Sequence, residues 1–111
     1  GIKLGYKMAI ENRSLQRIRV IATEASKPKM PRHVRLQMDE LRDRWVVLAP
    51  EKVMWPDPVS VDVLQLCDGS LTLALIVDKL AVDYNAPPEV IKTDVMEFVQ
   101  EWTDKRLLLL S

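Results

Sequence analysis

The sequence predicts an α+β fold of the winged-helix type, in which a small three-stranded antiparallel sheet is followed by a three-helix bundle. Two observations carry this prediction. Between residues 33 and 57, apolar side chains alternate with polar ones or form short β-branched runs, and both patterns are typical of strands. Between residues 59 and 106, apolar side chains recur every three or four positions, as on the buried face of a helix. Such an order leaves a sheet edge beside a helix, where an extended peptide can dock.

Three strands are predicted, at residues 32–38, 45–48 and 52–55. The first has the period-two alternation of a half-buried strand, and the second is a β-branched and aromatic run that suits a buried position. The third is followed by Pro56 and Pro58, which cannot donate ladder hydrogen bonds. Prolines beside a short strand favour an edge position in the sheet, because they also limit pairing with other chains.

Turn signals divide the second half of the chain into three helices. Ser60 is expected to cap the first helix, and Gly69, which tolerates the left-handed conformation, is expected to end it. Ser70 or Thr72 can cap the second helix, and Pro88 suits the first turn of the third. The apolar stripes of the second and third helices are Leu73, Ile76, Val77 and Leu80, then Ile91, Val95, Phe98 and Trp102.

The composition excludes several classes of protein. A chain of 111 residues has room for one domain with a modest core, and 48% hydrophobic and 29% charged residues are typical of a globular protein. No apolar run approaches the ~20 residues of a membrane span, and the single Cys67 allows no internal disulfide, so a cytoplasmic location is expected. One histidine, His33, and three glycines suffice neither for a four-ligand zinc site from nitrogen and sulfur donors nor for a phosphate-binding loop. We therefore predict no enzyme, no metal site and no cofactor.

Charge is divided unevenly along the chain. The first 32 residues carry eight basic and two acidic side chains, a net charge of +6, whereas the remaining 79 carry eight basic and fourteen acidic ones, a net charge of −6. Pro28 and Pro31, three residues apart, also suit an extended segment. The uneven charge and these prolines together predict a basic flexible linker or tail at residues 1–30 and a folded domain at residues 31–111. The four leucines at residues 107–110 predict a short C-terminal strand. A basic tail can contact nucleic acid or a membrane surface, but a solvated linker is the simpler interpretation, so removing residues 1–29 should leave the thermal midpoint unchanged.

A three-helix unit with a sheet also suggests a nucleic-acid-binding winged helix. The third predicted helix, residues 87–106, carries five acidic and three basic side chains, a net charge of −2. A helix that enters the major groove needs positive charge, because neutralisation of phosphates supplies most of the affinity. The charge therefore disfavours nucleic acid as a partner, while a structural adaptor without a peptide ligand stays open as an alternative.

Five segments of the folded part match a known family in their order and spacing. They are Val34-Arg35-Leu36-Gln37, Leu48-Ala49-Pro50-Glu51, Leu64-Gln65-Leu66-Cys67-Asp68-Gly69-Ser70, Ile76-Val77-Asp78-Lys79-Leu80 and Asp94-Val95-Met96-Glu97-Phe98-Val99. Together they make residues 31–110 resemble the PqqD family. In that family the Pro-Glu pair is commonly followed by glycine, whereas this chain has Lys52 there, so the turn before the third strand is expected to differ.

The resemblance implies a function without catalysis. PqqD proteins act in pyrroloquinoline quinone biosynthesis, where they bind the ribosomal precursor peptide PqqA as an added strand between the third strand and the third helix. They present it to the radical S-adenosylmethionine enzyme PqqE. Some members are fused behind PqqC, and the basic residues 1–29 resemble the linker of such a fusion. The implied partners are therefore PqqA, PqqE and, through covalent fusion, PqqC, with no membrane contact.

The residues themselves agree with strand addition. An edge strand at residues 52–55 offers free main-chain donors and acceptors, which bind an extended peptide largely regardless of its sequence. Alternate residues point to opposite faces of a strand. Either Val53 and Trp55 or Lys52 and Met54 are therefore expected to line the groove.

The third helix is expected to supply the opposite wall of this groove. Val95 and Phe98 have a core role first, and contact with the peptide is secondary. Trp55 is either the anchor of the peptide, since aromatic residues dominate interface energetics, or a core tryptophan under the helices. The predicted peptide-binding residues are Lys52, Val53, Met54, Trp55, Ile91, Asp94, Val95 and Phe98.

Overall fold

The computed structural model of the chain describes residues 19–111, so most of the predicted tail lies outside the described residues. The predicted α+β architecture is confirmed, with a three-stranded antiparallel sheet and three helices. No helix in residues 19–111 is both long and apolar enough to cross a bilayer. The elements in chain order are β1 (Pro28–Lys29), β2 (Arg35–Asp39), β3 (Arg44–Ala49), β4 (Lys52–Met54), α1 (Pro58–Gln65), α2 (Leu73–Asp83), α3 (Pro88–Asp104) and β5 (Leu109–Leu110).

The central sheet has the strand order β2-β3-β4, so β2 and β4 form its two edges. The register places Val47 of β3 opposite Leu36 of β2 and Met54 of β4. Because side chains alternate along a strand, these three share one face, which we name the inner face. Its other members are Met38, Trp45, Ala49 and Lys52. The opposite, outer face carries Arg35, Gln37, Asp39, Arg44, Val46, Leu48 and Val53.

One apolar core joins the inner face to the helices. Val47 of the sheet is fully buried in it, together with Leu73 and Ile76 of α2 and Val99 of α3. Burial of a large aliphatic side chain stabilises the fold by ~1.5–3 kcal/mol, so this cluster holds the sheet to the helices. The buried core residues are Val34, Val47, Val63, Leu64, Cys67, Leu73, Ile76, Val77, Leu80, Val95, Val99, Trp102, Leu107 and Leu108.

Each helix begins where the sequence provides a suitable first turn. The prediction that Ser60 caps α1 is wrong, because the side chain of Asp57 accepts a hydrogen bond from the backbone N–H of Ser60 at 2.8 Å. The helix begins earlier than expected because Pro58 fits its first position, where no intrahelical N–H donor is needed. The hydrogen bonds at this cap hold the pKa of Asp57 below its ordinary value. Thr72 caps α2 and Pro88 opens α3, both as predicted.

Residues 19–30 form a strap that packs on the helices. The backbone carbonyls of Glu24 and Ser26 accept hydrogen bonds from the backbone N–H groups of Ala74 and Leu73, at 3.0 and 2.8 Å. These donors lie in the first turn of α2, where no intrahelical acceptor is available. The strap therefore helps to cap α2. The predicted boundary at residue 30 needs correction, because main-chain bonding and the burial of Ser26 make the strap part of the folded body.

The end of the strap pairs with the C-terminus. β1 runs antiparallel to β5, with the fully buried Pro28 opposite Leu110. The carbonyl of Pro28 also accepts a hydrogen bond from the N–H of Gly69 at 2.9 Å, and Gly69 has a φ of +87°, which favours glycine. Gly69 thus lies in the turn after α1 instead of ending that helix, which stops at Gln65. Leu109 and Leu110, the last two residues of the leucine run, form the expected strand, with the strap as its partner.

The beginning of the strap lies along one flank of α3. The guanidinium of Arg19 donates two hydrogen bonds, at 2.9 and 3.1 Å, to the carboxylate of Asp104. The side-chain amide of Gln100 binds the main chain of the strap twice, at 2.8 and 2.9 Å, and Lys92 pairs with Glu24. Residues spaced by four or eight positions share one side of a helix, so these contacts define a strap flank of α3.

Deletion of the strap tests whether it belongs to the folding unit. We compare a variant that lacks residues 1–30 with a reference that lacks residues 1–18, so that only the described strap differs. Uncapping of α2 and loss of the buried strap residues should cost about 2–4 kcal/mol of unfolding free energy. The thermal midpoint measured by circular dichroism should therefore fall by about 10 °C or more. Equal midpoints would restore the boundary at residue 30.

Candidate functional site

β4 is an open edge of the central sheet. Within residues 19–111 it pairs with β3 alone, so the main-chain groups on its other side have no strand partner there. Trp55 follows the strand, and the next residue, Pro56, has no N–H and limits how far a further ladder can run. The edge is thus a template of three residues to which an extended peptide can add.

The two faces of β4 have different surroundings. Met54 lies on the inner face and packs, half-buried, against the core. Lys52 shares that face and is exposed, whereas Val53 points to the outer face and is more than half exposed. Of the two alternatives for the helix side of the strand, the structure therefore selects Lys52 and Met54.

Trp55 covers the outer face of the sheet. One step beyond the β3–β4 register, it lies opposite Val46, which is only 4% exposed although it belongs to the outer face. The guanidinium carbons of Arg44 and Arg42 lie 4.9 and 5.4 Å from the centroid of the Trp55 ring, and 38% of Trp55 stays exposed. The alternative of a core tryptophan under the helices is wrong for Trp55, because Trp55 is not part of the buried core, whereas Trp102 of α3 is.

The predicted residues of α3 lie on one flank of the helix, since they are spaced by three or four positions. Val95 is buried in the core, and Phe98 is half-buried with its ring centroid 4.9 Å from that of Trp102. Ile91 is half-buried and Asp94 is exposed. By helical spacing this flank lies on the other side of α3 from the strap flank, so the strap leaves it open.

The eight predicted site residues therefore divide into two sets. The inner set consists of Lys52 and Met54 on the inner face of the sheet and Ile91, Asp94, Val95 and Phe98 on α3. Four of these, Met54, Ile91, Val95 and Phe98, pack in or against the core, whereas Lys52 and Asp94 are exposed. The outer set, Val53 and Trp55, lies on the opposite face of the sheet. The side chains of a strand added along β4 would alternate between the two faces, beside Lys52 and Met54 on one and beside Val53 and Trp55 on the other.

Sequence reasoning missed the arginines that surround Trp55. Arg42 donates to the carboxylate of Asp39 at 2.9 Å, and this hydrogen bond holds the pKa of Asp39 below its ordinary value. Arg44 stands on the outer face next to Val46. The sequence holds one indication of this arrangement, because Arg44, Val46 and Leu48 alternate along β3 and therefore share a face. It points to Trp55 only once the face that Trp55 occupies is known.

The lone cysteine, Cys67, belongs to the core. Its thiol donates to the carbonyl of Val63 at 3.2 Å, and burial, followed by the charge of Asp68, raises its pKa to about 12. A thiol with this pKa stays protonated near neutral pH and is a poor nucleophile. Within residues 19–111, no three histidine, cysteine or acidic side chains lie close enough together to hold a metal ion.

The fold and the open edge define a class: a winged-helix-like α+β domain whose small sheet has β4 as an open edge. Residues 44–108 match the family model described as coenzyme PQQ synthesis protein D (PqqD). A PqqA binding protein of Rhodopseudomonas palustris is 47% identical over 89 residues, which cover 80% of this chain and 87% of the relative. A PqqA binding protein of Xanthomonas axonopodis pv. citri is 42% identical over 88 residues, which cover 79% and 96%.

A solved structure agrees with these relatives. The solution structure of the PqqD truncation of Methylobacterium extorquens PqqCD, described as a stand-alone recognition element for ribosomally synthesised and post-translationally modified peptides, has a TM-score of 0.68. It is 35% identical in sequence and covers 82% of this chain and 96% of its own. The chain belongs to the PqqD family, as the resemblance predicts.

The two tryptophans should differ in their contribution to stability. Trp102→Ala should lower the unfolding free energy by about 3–5 kcal/mol, because Trp102 is 8% exposed and packs in the core. Trp55→Ala should cost less than about 1.5 kcal/mol, since it uncovers Val46 on a face that is already partly exposed. Urea denaturation followed by circular dichroism measures both values. An equal or larger loss for Trp55→Ala would contradict its placement on the outer face.

Proposed function

We propose that this chain binds the precursor peptide PqqA as an additional strand along β4 and serves pyrroloquinoline quinone biosynthesis without chemistry of its own. The observation that carries the proposal is the open edge of β4, with apolar side chains on both of its faces. The relatives named PqqA binding protein support this choice of peptide.

The other sheet edge is a weaker candidate. β2 presents Arg35 and Gln37 to solvent on the outer face, whereas β4 presents Val53, with Trp55 next along the chain. Apolar side chains beside free main-chain groups add selectivity to hydrogen bonds that any extended peptide can make. β4 therefore offers both free main-chain groups for pairing and apolar side chains for selectivity.

The inner set explains how a peptide side chain would be recognised on the helix side. Met54 is flexible and polarisable and adapts to different neighbours, and Phe98 supplies an aromatic edge. Asp94 adds an exposed carboxylate to the same flank of α3. The exposed acidic residues of α3 also oppose the nucleic-acid alternative, because Asp94, Glu97 and Glu101 would repel phosphates.

Further partners follow from the same proposal. The bound peptide is presented to the radical S-adenosylmethionine enzyme PqqE in the cytoplasm. Residues 1–18 act as a basic linker to a PqqC domain, an arrangement supported by the PqqCD origin of the solved relative. The gene sequence upstream of residue 1 tests this last point, since an encoded PqqC domain would support the linker and an immediate start codon would oppose it.

An NMR titration of the ¹⁵N-labelled chain with synthetic PqqA tests the proposal directly. Amide shifts should concentrate on residues 52–55 and on the 91–98 segment of α3, because an added strand changes the environment of both. The amides of β2 serve as the internal control edge and should move little. Shifts centred on β2, or none in a folded sample, would contradict the proposed function.

A pair of methionine variants tests which edge binds. Met54 and Met38 both lie on the inner face, but on opposite edge strands of the sheet. Met54→Ala should weaken PqqA binding about tenfold, because it removes an apolar contact at the proposed site. Met38→Ala, the matched control, should leave the dissociation constant unchanged in the same calorimetric titration. Similar losses in both variants would mean that the effect does not report on the β4 edge.

A further inference from the structure

A groove of about 660 Å³ lies where the end of β4 meets the start of α1. Its apolar lining comes from β3, from the two residues that follow Met54, and from α1: Trp45, Trp55, Pro56, Pro58 and Val61. Its polar lining consists of Asp43, Arg44, Asp57, Asp62 and Gln65. We name this depression the α1 groove.

The α1 groove continues the proposed peptide edge. Trp55 and Pro56 belong to both, because they directly follow β4 and also line the groove. Pro56 has no N–H, so strand pairing along β4 ends at this point. A peptide that runs on past this end of β4 therefore leaves the ladder beside the groove. Its next side chains meet α1 and the two tryptophans instead of another strand.

The tryptophans make the groove suitable for a positive charge. The face of an indole ring attracts a cation, and the attraction grows when the site is partly shielded from water. The guanidinium groups of Arg42 and Arg44 already lie over the ring of Trp55. Within residues 19–111, no cation lies over the ring of Trp45, which is half-buried and lines the groove. Trp45 thus leaves an aromatic surface for a cation that another molecule supplies.

The charges of the groove favour the same kind of ligand. Asp43, Asp57 and Asp62 line it together with one basic residue, Arg44, so its net charge is −2 at neutral pH. The hydroxyl of Tyr84 donates a hydrogen bond to Asp62, and this bond, followed by burial, raises the pKa of Tyr84 to about 12. The hydroxyl therefore keeps its proton near neutral pH and adds no negative charge of its own.

Asp43 is the carboxylate that is available to a ligand. Asp57 caps α1 and Asp62 binds Tyr84, whereas Asp43 is exposed and forms no ion pair with any residue from 19 to 111. It stands in the turn between β2 and β3 with a φ of +54°, a conformation that aspartate and asparagine adopt more readily than most residues. Its charge can therefore be removed by asparagine without disturbing the turn.

We infer that the α1 groove binds a lysine or arginine side chain of the precursor peptide, carried just beyond the segment that pairs with β4. The inference rests on the proposed function, because it assumes that the peptide lies along β4. The cation lies against Trp45 and pairs with Asp43, while an acidic side chain at the same place is repelled. Main-chain pairing, which discriminates little between peptides, thereby gains a contact that selects for charge.

Variants of the chain and of the peptide, combined in pairs, test this contact. Asp43→Asn removes one charge and keeps the size and turn conformation of the residue. Asp78→Asn is the matched control, because it removes the same charge from an exposed residue of α2 that does not line the groove. Each 111-residue chain is titrated calorimetrically at low and moderate salt with synthetic PqqA. The titrations are repeated with PqqA peptides in which each lysine or arginine is replaced in turn by glutamine.

Asp43→Asn should weaken PqqA binding about threefold to tenfold and reduce its salt dependence, because an ion pair beside an aromatic ring is lost. Asp78→Asn should change the affinity by less than about twofold. One basic residue of PqqA should couple to Asp43. Its replacement should weaken binding to the original chain by a similar factor and remove the difference between that chain and Asp43→Asn.

Equal affinities of the original chain and Asp43→Asn, or the absence of a PqqA residue that couples to Asp43, overturn the inference. If the amides of residues 52–55 still shift with PqqA in that case, strand addition along β4 stands and the groove contact alone is refuted. A PqqA peptide that does not bind the original chain, or that binds without shifting those amides, refutes the proposed function and the groove contact with it.

Discussion

The packing of α2 against α3 is the interaction on which the rest of the structure depends. Leu73 and Ile76 of α2 and Val99 of α3 are fully buried in one core, and the sheet reaches this core through Val47. A three-stranded sheet has two faces, but the helices cover only the inner one. The outer face and the β4 edge are therefore left open because the core is one-sided, and the proposed peptide-binding edge follows from that constraint.

The strap shows which contacts stabilise this core. Its ion pairs with α3, such as Arg19 with Asp104, are exposed, and exposed pairs are worth roughly 0–1 kcal/mol each. Its main-chain bonds to the first turn of α2 matter more, because unsatisfied donors at a helix start are costly. The two ion pairs have opposite polarity, since Arg19 of the strap meets Asp104 whereas Glu24 of the strap meets Lys92. The fold depends more on carbonyl groups that any sequence could supply.

This difference explains what the sequence could and could not predict. The three strands and the apolar stripes of α2 and α3 follow from local periodicity, so they were predicted close to their observed bounds. The prolines and charges of the strap are typical of linkers and therefore predict one, whereas its hydrogen bonds to α2 join residues about fifty positions apart. No local pattern reports such bonds, since backbone carbonyls carry no sequence signature.

The candidate site was predictable to a similar extent. Proline after a short strand correctly indicated an edge, and helical spacing placed Ile91, Asp94, Val95 and Phe98 on one flank. The sequence alone cannot decide which face of the sheet Trp55 occupies. Alternation divides residues 52–55 into two pairs, but it does not tell which pair faces the helices. The pairing of Met54 with the buried Val47 places Met54 on the inner face and Trp55 on the outer face. This register depends on long-range packing.

The division of β4 between two faces limits how this domain can achieve selectivity. Main-chain hydrogen bonds discriminate little between peptides, and on the helix side Val95 is committed to the core and Phe98 largely so. Few side chains are then left to recognise the peptide from within. On the outer face, however, the alternate side chains of an added strand would stand beside Val53 and Trp55, which are both exposed. A small recognition domain with a one-sided core can in this way combine main-chain pairing at the edge, which discriminates little, with side-chain contacts on both faces of the added strand.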